Sequence, residues 1–140
     1  MSSGDALRLS QLMLEFYEKM SSWEHSVVKQ TGLSPAQMHT VEIIGHHGRL
    51  QMKDLAHKMG VTTGTLTVMI DRLERMKLVE RSPHETDRRS YHTKLTNRGQ
   101  SYYQEHHKWH LELTRELTAS LTREETQQFL VILKKVLERF

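Results

Sequence analysis

Apolar residues recur at helical spacing along most of the chain, and each interruption of that rhythm marks an element boundary. Leu9, Leu12, Met13, Phe16, Met20, Trp23 and Val27 form one stripe, which predicts a long first helix from Asp5 to about Gln30. Thr31-Gly32-Leu33 breaks it. Ser34-Pro35-Ala36-Gln37 restarts a helix with a Ser cap, Pro at the first helical position and Gln three residues after the cap. Met38, Val41 and Ile44 continue that helix to the region of His46-His47-Gly48. A short strand is expected at Arg49 to Gln51, then a helix from about Met52 to Lys58 that ends at Gly60. Thr62 caps the next helix. Its Leu66, Met69, Ile70 and Leu73 face inward and leave Thr63, Thr65, Thr67, Val68 and Arg72 outside. The runs Leu78 to Arg81 and Tyr91 to Leu95, split by the turn-rich SPHETDRRS, read as a hairpin with a basic tip. A helix from Thr96 to about Ser120 carries Tyr102, Tyr103, His106, Leu113 and Leu117 on one side. The capping box Thr122 to Glu125 opens a last amphipathic helix containing Phe129, Leu133, Val136 and Phe140.

The predicted fold class is therefore mainly α with a small β-wing. A helix with short polar side chains outward, followed by a basic hairpin, is the layout of a winged helix-turn-helix. The helix fits a major groove, and the wing lies on the backbone or in the neighbouring minor groove. Asp87-Arg88-Arg89 followed by Leu95-Thr96 and Gly99 resembles the D-x-R…L-T-x-x-G signature of the MarR family, and the flanking helices fall where that family has them. Lys77 departs from the pattern, because the family usually ends its recognition helix with Gly there; a left-handed Lys or a different helix end is required. The resemblance implies one domain over 1–140, with a DNA-binding lobe at 34–99 and a helical dimerisation region made of 1–33 and 100–140. It implies a homodimeric transcriptional regulator, a repressor in the first instance, on a pseudo-palindromic operator in double-stranded DNA. Thr62, Thr63, Thr65, Thr67 and Arg72 are the expected contacts of the helix. Asp87, Arg88 and Arg89 are those of the wing, with Arg89 and secondarily Arg88 at the minor groove.

Charge agrees with this placement. Net charge is only +3, but Arg49 to Arg98 holds eleven Lys or Arg against six Asp or Glu, so the excess sits on the DNA-reading unit. The absence of Cys excludes a disulfide framework and Cys-ligated zinc. No nucleophilic Cys, G-x-S-x-G, phosphate-binding Gly loop or H-E-x-x-H is present, and the HETD at 84–87 falls in an exposed turn, so no enzyme is expected. The start MSSGDALRLSQ lacks the apolar core of a signal peptide, and no apolar run approaches membrane-spanning length; the expected compartment is the cytoplasm.

Ten His are the unusual feature of the composition. His106 and His110 are four apart, the spacing of helical metal pairs, although roughly one such pair is expected by chance at this His content. The set Glu24, His39, His106 and His110 is similar to the primary site of the zinc-uptake repressors within the family, which implies zinc bound by three imidazoles and a carboxylate. That branch's second site uses a Cys and two Glu; here there is no Cys, Met38 stands at one Glu position and only Glu105 remains, so the second site is not expected. Two alternatives stay open. A small apolar or phenolic effector could occupy a crevice among Met13, Tyr17, Met38 and Trp109 in place of zinc. A helical interaction module that does not bind DNA is the other, disfavoured because such a module has no need of a basic tip.

Overall fold

The computed structural model describes residues 1–83, 85–86 and 90–140. Its elements run α1 (Ser3–Lys29), α2 (Pro35–His47), β1 (Arg49–Gln51), α3 (Met52–Met59), α4 (Thr63–Arg75), β2 (Val79–Pro83), β3 (Tyr91–Leu95), α5 (Asn97–Leu117) and α6 (Arg123–Leu137). The chain is mainly helical with one small antiparallel sheet, as its periodicity predicts.

Local chemistry accounts for the helix starts. Ser2 with Asp5, Ser34 with Gln37 and Thr122 with Glu125 each form a complete capping box, in which the hydroxyl accepts from the backbone and the longer side chain accepts in return. The first of these starts α1 two residues earlier than the apolar stripe indicates. Gly60 ends α3 in the left-handed conformation at φ 66°. Lys77 adopts the same region at φ 61°, so the departure from Gly is absorbed by a strained backbone and not by a different helix end.

The sheet order is β1-β3-β2, with Arg49 opposite Lys94 and Val79 opposite Leu95. The central strand β3 is stitched to β1 also by Thr93, whose buried hydroxyl donates to the Leu50 carbonyl at 3.1 Å. The hairpin starts one residue later than expected, at Val79. Leu78 is drawn into the core, and its carbonyl accepts from Thr96 N at 3.1 Å. Thr96 also donates its hydroxyl to the Lys77 carbonyl at 2.6 Å and accepts from Gly99 N at 3.0 Å. The helix expected from Thr96 to about Ser120 accordingly runs from Asn97 to Leu117, with Thr96 as its anchor.

Two compact units divide the chain, Met1–Tyr103 and Gln104–Phe140, with the boundary inside α5. In the first unit Val28, Met38, Val41, Ile44, Leu55, Leu66, Ile70, Leu73 and Leu78 are fully buried and form one cluster. Each such large aliphatic side chain stabilises the fold by about 1.5–3 kcal/mol. The helix-turn-helix thus rests on a continuous core. The N-terminal half of α1 does not: Leu9, Leu12, Met13 and Phe16 are about half exposed. In the second unit α6 buries none of its residues, and Phe129, Leu133 and Val136 remain exposed.

Candidate nucleic-acid interface and metal ligands

The candidate reading helix, α4, is built from its cap outward. Thr62 Oγ1 accepts from Thr65 N at 3.2 Å and donates to Thr65 Oγ1 at 3.1 Å, which fixes the first turn of α4. Leu66, Ile70 and Leu73 are wholly buried, and that places Thr63, Thr65, Thr67, Val68 and Arg72 on the exposed face, as the pattern predicts. Thr67 donates its hydroxyl to the Thr63 carbonyl at 2.8 Å, so toward a ligand it offers acceptor lone pairs and a methyl group. Thr65, accepting from Thr62, still has its own proton to donate. The exposed face therefore carries donor, acceptor and methyl functions within two turns, the repertoire that base edges in a major groove demand. Thr62 itself serves the helix start.

Sequence reasoning missed Arg81. From β2 its guanidinium donates to Asp71 at 2.6 Å and to Glu74 at 2.5 Å, both on α4. Burial works to lower its pKa, but the hydrogen bonds and charges of Glu74 and Asp71 outweigh it and hold Arg81 above its ordinary value. The pair thus locks the wing strand to the reading helix. Asp71 and Glu74 share one helix face, but no spacing in the sequence pairs them with an Arg on the next strand. Lys94 with Glu80 at 3.2 Å and Arg49 with Glu85 at 3.9 Å are exposed pairs and contribute little. The expectations for Asp87, Arg88 and Arg89 lie outside the described residues.

The expected metal ligands divide between the two units. In the first, Glu24 on α1 is half-buried and His39 on α2 faces outward, 3.9 Å from Glu42. The hydrogen bond that His39 donates to Glu42 raises the His39 pKa against the effect of burial, and the charges of Glu42 and Glu24 add to the rise. A raised imidazole gives up its proton less readily to a metal. Glu42, which the sequence reading did not single out, places a carboxylate oxygen within 4.8 Å of one from Glu24. In the second unit His106 is buried and His110 half-buried, with Nε2 atoms 3.0 Å apart. One ion holding both at about 2.0–2.1 Å needs a spacing near 3.3 Å in a tetrahedron, so a small ring movement would fit the pair to zinc. Of the alternative effector residues, Met38 is enclosed in the first unit's core, while Met13 and Tyr17 are exposed on α1. Trp109 belongs to the second unit, edge-on to His106 at 6.4 Å between ring centroids.

A core-mounted helix with an exposed polar face, preceded by a short helix and a glycine turn and followed by an antiparallel wing, defines a winged helix-turn-helix of the DNA-binding class. The model described as the MarR family matches residues 33–91. A Bacillus subtilis (strain 168) protein, the uncharacterized HTH-type transcriptional regulator YfiV, is 37% identical over 110 residues, covering 76% of this chain and 68% of its own. The HTH-type transcriptional repressor MdtR of the same organism is 31% identical over 107 residues, covering 75% and 69%. Among solved structures, a mutant MarR from E. coli complexed with operator DNA superposes with a TM-score of 0.74 at 28% identity, over 95% of this chain and 96% of that one. The chain belongs to the MarR family of transcriptional regulators; it is a regulator and not an enzyme. Among the described residues, no helix is long and apolar enough to cross a membrane.

Proposed function

We propose that this protein is a repressor that binds a pseudo-palindromic operator as a homodimer, with zinc as its corepressor. The observation that carries the DNA reading is the outward face of α4, where Thr63, Thr65, Thr67 and Arg72 stand on a capped, core-anchored helix. Thr63, Thr65 and Thr67 read base edges, Arg72 neutralises phosphate, and Arg88 and Arg89 place cations at the backbone or minor groove while Asp87 orients the wing. The E. coli MarR mutant solved with operator DNA supports this reading through its likeness over nearly the whole chain. Dimerisation is supported by the apolar residues left exposed on α1 and, separately, on α6. Two reading helices on one duplex face must stand about 34 Å apart, and a rigid helical interface sets that distance.

For zinc, the support is the His106–His110 pair, whose spacing suits one ion, together with the resemblance that adds Glu24 and His39. A bound zinc would be held by the His106 and His110 imidazoles and would supply a fixed metal–ligand anchor on α5. By linkage, operator DNA then raises zinc affinity by the factor that zinc raises DNA affinity. The test is selection of binding sites from a random duplex pool, with zinc and with chelator. We expect enrichment of an inverted repeat with half-sites one helical turn apart, at least about tenfold tighter with zinc. Recovery of no sequence would refute the DNA reading. A recovered site whose affinity ignores zinc, and equally ignores His106→Ala, would leave the operator reading standing and replace zinc by a small organic effector.

A further inference from the structure

We propose that Met69 is an oxidation site through which peroxide releases the protein from DNA; the proposal rests on the reading of α4 as the DNA-contacting helix. Thr40 of α2 is fully buried, and its hydroxyl oxygen stands 2.8 Å from the Met69 sulfur, 3.7 Å from the Met59 sulfur and 2.8 Å from the Ala36 carbonyl oxygen. Met59 ends α3 and Met69 lies midway along α4, so this one hydroxyl is where the three helices meet. A threonine hydroxyl has a single proton. The Ala36 carbonyl is the stronger acceptor and takes it, and the thioether of Met69 is the weak partner held against the same oxygen.

Oxidation inverts that ranking. The sulfur lone pair attacks one oxygen of hydrogen peroxide, the O–O bond breaks, and the departing hydroxide takes the remaining peroxide proton and leaves as water. The sulfur is oxidised by two electrons, the peroxide is reduced, and the product is the sulfoxide. The new S=O group is a strong acceptor that competes with Ala36 for the Thr40 proton. It also needs a volume that a 2.8 Å contact does not contain. Either Met69 leaves its seat or α4 moves from α2, and Thr65, one turn before Met69 on the same helix, moves with it.

Access for the oxidant is provided. Met69 is half-buried and lines a surface groove of about 360 Å³ with Ser34, Gln37, Thr65, Val68 and Arg72. Of the threonines proposed to read bases, Thr65 lines this groove, whereas Thr63 and Thr67 line a separate one. Met38, by contrast, is sealed in the core, and Met1 and Met13 are exposed on residues that no reading of the DNA interface involves.

The full-length protein is treated with hydrogen peroxide, and samples are withdrawn over time. Peptide mass mapping follows oxygen uptake at each methionine, and binding is measured to the duplex recovered in the selection above. Affinity should fall about tenfold in step with uptake at Met69, and methionine sulfoxide reductase should restore it. Met69→Leu, which conserves volume, should bind normally and resist the treatment, whereas Met13→Leu should protect nothing. The proposal is overturned if affinity holds while Met69 is fully oxidised, if Met69 stays reduced as Met1 and Met13 are consumed, or if Met69→Leu is as sensitive as the parent. Failure of the DNA reading is separately visible, because the untreated protein would then bind no duplex. In that event a peroxide-induced fall in melting temperature, present in the parent and absent in Met69→Leu, still decides whether the Thr40 contact is disrupted.

Discussion

Replacing Gly99 by Ala tests the joint between the reading helix, the wing and α5. A Cβ on Gly99 would lie 1.9 Å from the Leu78 carbonyl oxygen and 2.9 Å from its carbon. Non-bonded carbon and oxygen approach to about 3.3–3.6 Å, so the two backbone segments must part by roughly 1.5 Å. No rotamer change relieves this, because the obstacle is main chain. Parting strains the Thr96 N to Leu78 carbonyl bond of 3.1 Å and the Thr96 hydroxyl to Lys77 carbonyl bond of 2.6 Å. Two hydrogen bonds at about 0.5–1.5 kcal/mol each and overpacking at about 1–3 kcal/mol give a loss of roughly 2–5 kcal/mol. Urea unfolding at fixed protein concentration should show the midpoint falling by about 1 M or more. Gly64→Ala is the matched control. A Cβ there meets only Thr62 Oγ1 at 3.9 Å, and the lower backbone entropy of Ala should stabilise α4 by about 0.5–1 kcal/mol. If both substitutions shift the midpoint in the same direction, or Gly99→Ala leaves it unmoved, the steric reasoning is wrong.

Lys77→Gly should act in the opposite sense to most substitutions, raising stability by about 1 kcal/mol through relief of the left-handed backbone, which differential scanning calorimetry at fixed concentration would register as a higher Tm. Arg81→Met should leave the fold intact but weaken binding to the selected duplex several-fold, because Asp71 and Glu74 then face each other uncompensated and the wing strand loses its tie to α4; unchanged affinity would show the tie to be ornamental.

The helices, their caps and the facing of α4 were legible in the chain because each depends on neighbours within one or two turns. Ser34-Pro35-Ala36-Gln37 states its own start, and the period of Leu66, Ile70 and Leu73 states which side of α4 is buried. The short strand expected at Arg49 to Gln51 is present too, paired with β3. What the sequence hid depends on contacts distant along the chain. Nothing local marks Arg81 as the partner of Asp71 and Glu74, or Thr40 as the meeting point of two methionines. Gly99 was recognised as part of a signature, yet its reason, a backbone 21 residues earlier pressed against it, needs three dimensions. Among the ligand candidates, spacing identified His106 and His110 as neighbours, and the equally local spacing of His39 and Glu42, three apart on α2, was passed over.

The order β1-β3-β2 has a consequence for what happens if the chain is cut between β2 and β3. Among the described residues β1 and β2 do not pair with each other, and each is bonded to β3. A cleaved protein would consist of one piece carrying both outer strands with the helix-turn-helix between them, and another carrying the central strand with α5 and α6. Neither piece holds a sheet alone. The outer strands of the first would stand a strand's width apart with unpaired edges, and the single strand of the second would have nothing to pair with. Their reunion would be an association between two molecules, so the helix-turn-helix would regain its sheet at a rate and to an extent set by concentration. The fold therefore contains a natural seam at which one regulator becomes two complementary halves.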